Sequence, residues 1–213
     1  MENQISPELQ PYRHPNHEIS ADYVNRWSPR AFSSEPIDDE VLMRAFEAAR
    51  WAASSYNEQP WRFLLARNDL DRAKFLDLLI PANQEWANTA PVLVIIISKK
   101  TFSMNGQPNG TNQFDAGTAS GYLTLELSKL GLISHGMAGF DRDRARTVLN
   151  VPDDFDLLAV FAIGKHGDPA LLSEQLRERE VPSGRRPVAE SVMEGGFILP
   201  QEKVAEEDTI PDA

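Results

Sequence analysis

The chain has 213 residues, with 21 Lys and Arg against 32 Asp and Glu, a formal net charge of −11. Hydrophobic residues make up 41% of it, enough to bury a core, and the acidic excess speaks against a nucleic-acid backbone as the main partner, which needs a basic face. There is no cysteine, which excludes a disulfide framework, thiolate metal ligation and thiol catalysis.

Residues 1–19 are polar and proline-rich and read as an N-terminal arm. Ser20 is placed to cap a short helix running to Trp27. Pro29 and Pro36 bracket an irregular stretch, and Asp38 caps a helix predicted from Asp39 to about Ala52, with Val41, Leu42, Ala45, Phe46, Ala48 and Ala49 at helical spacing. Trp61 to Leu65 reads as a strand and Asp69 to Leu79 as a helix. Val92 to Ile97 is unbroken, apolar and β-branched, the signature of a strand buried on both faces. That run is far short of the roughly 20 residues a membrane helix needs. Met1 to Gln10 lacks the basic-then-apolar pattern of a signal peptide, so the expected location is cytoplasmic.

The segment from Lys99 to Asn112 reads as a loop, either a lid or a plain surface connection. A long helix is predicted from about Gln113 to Leu130, ended by Gly131. Ser134 to Phe140 is a short glycine-containing segment, Asp141 caps another helix, Leu157 to Ile163 is the last strand, and Ala170 to Glu180 a polar helix. No repeat or linker divides the chain. The organisation is an arm over 1–19, one domain over 20–199, and an acidic, flexible tail over 200–213. Alternation of strands and helices by itself favours a parallel sheet.

Several chemical motifs fail on inspection. There is no G-x-G-x-x-G. Gly131 to Gly136 has phosphate-loop spacing, but Met137 and Ala138 stand where Lys and Ser/Thr are required. His14 and His17 lie on a polar arm without further converging ligands, so no metal site is expected. Ser134 and His135 are sequence neighbours, a poor nucleophile–base pair, and no nucleophile elbow is present. Asn109-Gly110-Thr111 is a chance glycosylation sequon.

Three segments stand out instead. Arg26-Trp27-Ser28-Pro29-Arg30 offers two guanidinium groups and a hydroxyl at a helix break, donors suited to a phosphate. Gly184-Arg185-Arg186-Pro187 is a second basic point, in an acidic region. Ser54 to Phe63 sets Ser, Asn and Gln side chains between a helix and a strand, and their mixed donors and acceptors suit the edge of a heterocycle.

Taken in order, these segments resemble the nitroreductase family of FMN-dependent NAD(P)H oxidoreductases, over about Asn25 to Phe197. Arg26 to Phe32 resembles the family's opening R-x-S-x-R/K-x-F. Glu47 to Ala52 followed by Ser54 to Trp61 resembles its A-P-S-S-x-N-x-Q-P-W stretch. Asn83-Gln84-Glu85-Trp86 before Ala90-Pro91, then Gly131-Leu132, Gly136 to Asp141, and Arg185-Arg186-Pro187 continue the likeness. Ala138 departs from it, standing where some nitroreductases carry Glu.

The resemblance implies an α+β fold with a central mixed β-sheet flanked by helices, in an intertwined homodimer with two interfacial FMN sites. It implies that Arg26, Ser28 and Arg185 or Arg186 meet the FMN phosphate and ribityl chain. Arg30 would sit at the pyrimidine edge, Asn83 would bond the flavin's polar edge, and the backbone of Ala138 and Gly139 would face N5 or O4. Ser55, Asn57 and Gln59 would line the ring from the other subunit. The implied chemistry is ping-pong hydride transfer from NADH or NADPH through flavin N5 to a nitroaromatic, quinone or similar flat acceptor, with no catalytic side chain and no metal. The alternatives are a specialised superfamily member, such as a reductive dehalogenase or a flavin-consuming enzyme, and a non-catalytic flavin-binding protein.

Overall fold

The computed structural model describes residues 4–197; the acidic tail expected over 200–213 lies outside them. Strand β1 (Trp61–Ala66), β2 (Val92–Lys99), β3 (Ile133–Met137) and β4 (Phe155–Gly164) form one sheet in the order β1-β2-β4-β3. Every pairing in it is antiparallel.

The parallel pairing suggested by the strand–helix pattern is corrected here, and the reason is topological. The helix α5 (Asn112–Lys129) does carry the chain from β2 to β3 as a crossover, and those two strands point the same way. The later strand β4 inserts between them, antiparallel to both, so the unit is a split βαβ and no parallel ladder forms among the described residues.

β2 is the spine. Leu93, Ile95 and Ile97 face one layer while Val92, Val94 and Ile96 face the other, as the two-residue period of a strand requires. On the first face pack Phe75 of α3 (Asp69–Asp77), Trp86 and Ala87 of α4 (Pro81–Ala87) and Ala145 of α6 (Arg142–Val148). On the second lie Leu42, Ala45 and Ala49 of α2 (Asp39–Arg50) and Leu123 and Leu127 of α5. The result is a helix–sheet–helix sandwich with α2 and α5 together on one side.

The local signals explain most boundaries. Ser20 accepts from Asp22 N ahead of α1 (Ala21–Asn25), and Asp38 accepts from Glu40 N and Val41 N ahead of α2. Gly131 takes φ 75 just past α5, the left-handed residue that ends a helix. Two readings are revised. α4 was not anticipated, although Pro81 at its first position is a helix-start signal. The helix expected over Ala170–Glu180 is interrupted: one 3-10 turn spans Pro169–Leu171, Leu172 is extended, and only α7 (Glu174–Glu178) follows.

Residues 4–19 pack against the α1 region. Leu9 is buried, and Arg13 donates to the carbonyls of Val24 at 2.6 Å and Arg26 at 2.7 Å. Among the described residues no helix is long and apolar enough to cross a membrane.

Candidate functional site

A cavity of about 380 Å³ opens where the arm, the segment after α1, strand β3 and the stretch after α7 meet. Five arginines line it: Arg13, Arg26, Arg30, Arg179 and Arg185, with Ser28, Ser183 and His135. No carboxylate is among its described lining residues, in a chain whose net charge is −11.

The cations are held close without full neutralisation. Burial, and then the charge of Arg185, pull the Arg26 guanidinium below its ordinary range. Arg13 moves the same way, through burial and then the charges of Arg185 and Arg26. Arg26 Nη1 also lies 3.4 Å from Ser28 Oγ. Such a cluster, with a hydroxyl at its edge, favours a multiply charged anion with several oxygens.

Arg30 is treated differently. The Glu180 carboxylate accepts from the backbone N–H of Arg30 at 2.7 Å and of Ala31 at 2.8 Å, and pairs with the Arg30 guanidinium at 3.9 Å. That carboxylate fixes the turn after Pro29 and partly offsets the Arg30 charge. His135 donates from Nδ1 to the carbonyl of Pro29 at 3.0 Å, since a carbonyl only accepts, and a backbone hydrogen bond to Ser28 holds the ring as well. Burial lowers the His135 pKa below its usual 6.5, so it is a neutral group in the wall. Behind it, Trp86 lies 4.5 Å from His135 between ring centroids and stacks on Phe32, which fixes the floor.

Residues 23–85 and 78–165 match the Nitroreductase family. The chain belongs to the nitroreductase family. A crystal structure of an oxidoreductase containing FMN is 41% identical and superposes with a TM-score of 0.84, covering 87% of this chain and 96% of that one. A nitroreductase family protein from Clostridium difficile 630, 20% identical, shares the fold at a TM-score of 0.63, covering 81% of this chain and 95% of that one. A Thermus thermophilus protein named NADH dehydrogenase is 24% identical over 185 residues, 72% of this chain and 89% of that one.

In this nitroreductase-family chain the anticipated residues fall into three groups. Arg26, Ser28, Arg30 and Arg185 meet in the cavity. Arg186 faces a neighbouring cavity. Asn83 and Gly139 meet each other: Asn83 Nδ2 donates to the Gly139 carbonyl at 3.1 Å, and a Cβ on Gly139 would stand 2.6 Å from Ile80 Cδ1. A side chain at position 139 would make the Ile80 side chain shift, and Ala138, next to it, is exposed.

Ser55, Asn57 and Gln59 form the third group, beside the start of β1. There Lys99 at the end of β2 donates to Pro60 O. The arginine segment lies at the opposite end of the sheet, where Phe32 bridges His166 just after β4. The eight residues of β2 separate the two ends by about 25 Å, so one chain does not bring these groups to a common point. The 54–59 turn is strained: Tyr56, Asn57 and Gln59 all have φ near +50°.

Arg13, His135, Arg179 and Glu180 were not anticipated. Arg13 sits in an aperiodic polar arm, and only its being the one Lys or Arg of residues 1–19 could have flagged it.

Proposed function

We propose that this chain is an FMN-dependent NAD(P)H oxidoreductase that reduces a nitroaromatic, quinone or similar flat acceptor. The observation that carries the proposal is the arginine cavity, whose Arg26, Ser28 and Arg30 open the family-matched region and whose described lining holds no carboxylate. The 41% identical structure containing FMN supports the choice of ligand.

Bound FMN would supply a ring that accepts hydride from the nicotinamide and passes it to the acceptor. The chain's part is to bind and orient. Arg26, Arg185 and Ser28 hold the phosphate through charge-assisted donors. Arg30, steadied by Glu180, places a partly offset cation beside the bound flavin, where negative charge on reduction would be stabilised. His135, held by backbone hydrogen bonds to Pro29 and Ser28, keeps a rigid ring in the wall. Ala138 and Gly139 present backbone to the ring edge, and Asn83 fixes that backbone through the Gly139 carbonyl.

The working unit is a homodimer in this reading. Ser55, Asn57 and Gln59 reach the flavin only from a partner, given the ~25 Å along β2. The exposed aromatic side chains near them support the same conclusion: Tyr56 is 84% and Phe114 78% exposed. One helical turn and two turns beyond Phe114, α5 offers Gly117 and Gly121 with open space around them.

The Arg26→Ala, Arg185→Ala double variant tests the assignment. Each charge-assisted hydrogen bond is worth roughly 1.5–3 kcal/mol, so FMN binding by the apo-protein is expected to weaken by on the order of 10²–10⁴-fold while the fold persists by circular dichroism. Unchanged FMN affinity would refute the phosphate assignment.

A further inference from the structure

The turn over 54–59, remote from the arginine cavity, is held by a buried carboxylate that the flavin reading leaves unused. Asp115 lies in the first turn of α5 and is only 4% exposed. None of the ion pairs among the described residues includes it. Its Oδ2 instead accepts from Ser55 N at 3.1 Å and from Thr111 Oγ1 at 3.1 Å. Burying a carboxylate without a cation is costly. The two donors and the positive end of the helix offset part of that cost. An apolar side chain would avoid it altogether, so what the carboxylate adds at this place is the hydrogen bond to Ser55.

The turn needs such a hold. Tyr56, Asn57 and Gln59 have φ of 50°, 55° and 50°, and strain of this kind persists only where the surroundings over-determine it. The start of α5 grips the turn from both flanks. Ala116 and Ala119 pack with Ala52, just before the turn, and with Trp61, just after it. Asp115, next to Ala116, reaches Ser55 N between those contacts. The helix itself is fixed to the sandwich through Leu123 and Leu127. The hydrogen bonds from Ser103 to Glu58, by contrast, join exposed groups. Others, such as Gln59 N to Ser54 Oγ at 3.0 Å and Gln59 Nε2 to Asn57 Oδ1 at 3.2 Å, are internal to the turn. They fix its shape and not its place.

We propose that Asp115 is a positioning residue for the flavin site: through Ser55 N it sets where Asn57 and Gln59 stand against the flavin of the partner subunit. The inference rests on the flavin reading above and deepens it. Asp115 touches neither flavin nor acceptor and acts through the turn. Asn57 follows the anchored N–H closely, since its own N donates back to Ser54 O at 3.1 Å. The hydrogen bond requires an acceptor oxygen at position 115 and not a charge. Asparagine supplies one and alanine does not.

The test is titration of the full-length apo-protein with FMN, together with the visible absorption bands of the bound flavin at saturation. Asp115→Ala is expected to weaken FMN by about tenfold, the loss of one hydrogen bond to a charged acceptor, and to shift those bands. Asp115→Asn is expected to restore the bands and to bring the affinity within about threefold of the unmodified chain. Thr111→Val, which removes the other donor to the carboxylate, is expected to weaken FMN by about threefold. A purely structural role would lower the melting temperature of the apo-protein and leave the bands in place in every variant, and that result would overturn the inference. So would an Asp115→Asn variant as weak as Asp115→Ala. Should Asp115→Ala not fold, Thr111→Val decides, and unchanged FMN affinity there overturns the inference. An unmodified chain that binds no FMN would overturn the flavin reading, and this inference with it.

Discussion

Single side chains in the arginine cavity divide into those that attract an anion and those that shape the wall. In the proposed reading Arg26 and Arg185 belong to the first kind and His135 to the second, with Glu180 bracing Arg30 from outside the lining. His135 leaves a mark on the pH dependence of stability. Burial lowers its pKa in the folded chain below 6.5, so the unfolded chain binds a proton that the native chain refuses. The contribution is present above the unfolded value and is lost as the pH falls from about 6.5 toward the depressed native value. The unfolding free energy of the apo-protein from urea titration is expected to fall across that window by up to ~1.4 kcal/mol per pH unit, and His135→Gln is expected to flatten the slope; an identical slope in the variant would remove His135 as the cause. The sequence showed Arg26, Ser28 and Arg185 because they sit close to breaks and turns as compact basic motifs. It hid Arg13, Glu180 and His135, whose roles come from hydrogen bonds between segments such as Glu180 to Arg30, 150 residues apart.

At the scale of elements, the segment from Lys99 to Asn112 is clamped to the strained 54–59 turn. Glu58 accepts from Ser103 N at 2.9 Å and from Ser103 Oγ at 2.6 Å, Tyr56 meets Phe102 edge to face, and Lys99 Nζ reaches Ser103 Oγ. The Ser103 hydrogen bonds hold the Glu58 carboxyl below its ordinary pKa, so the clamp is complete at neutral pH and weakens as the pH falls through that depressed value. Glu58→Gln is expected to raise amide hydrogen exchange at neutral pH in 99–112 and 54–59 together, with little change in α2 or β2. Faster exchange in one segment alone would show that the two are independent. Helix caps and the β2 run were legible because each is a local signal: Asp38, Gly131, and unbroken Val and Ile. The sheet's direction was not, because it depends on β4 returning between β2 and β3, a choice made by long-range burial of Val160, Ala162 and Ile163.

For the whole molecule, the separation of Arg26 from Asn57 along the sheet is the basis of the dimer argument. It gives a complementation test. Arg26→Ala and Asn57→Ala homodimers are each expected to hold little flavin. Refolded together in equal amounts, they form mixed dimers in which one site carries both lesions and the other neither. Half of the dimers are mixed and each has one intact site, so flavin content should recover to about a quarter of the unmodified level. No recovery would place both residues in one subunit's site. The measurement that tests the central claim most directly is the visible absorption spectrum of the purified protein, recorded before and after anaerobic addition of NADH and NADPH. Flavin bands that bleach with a reduced nicotinamide and return with a quinone or nitroaromatic are the expected result. A protein that shows no flavin bands, and gains none on incubation with FMN, would contradict it.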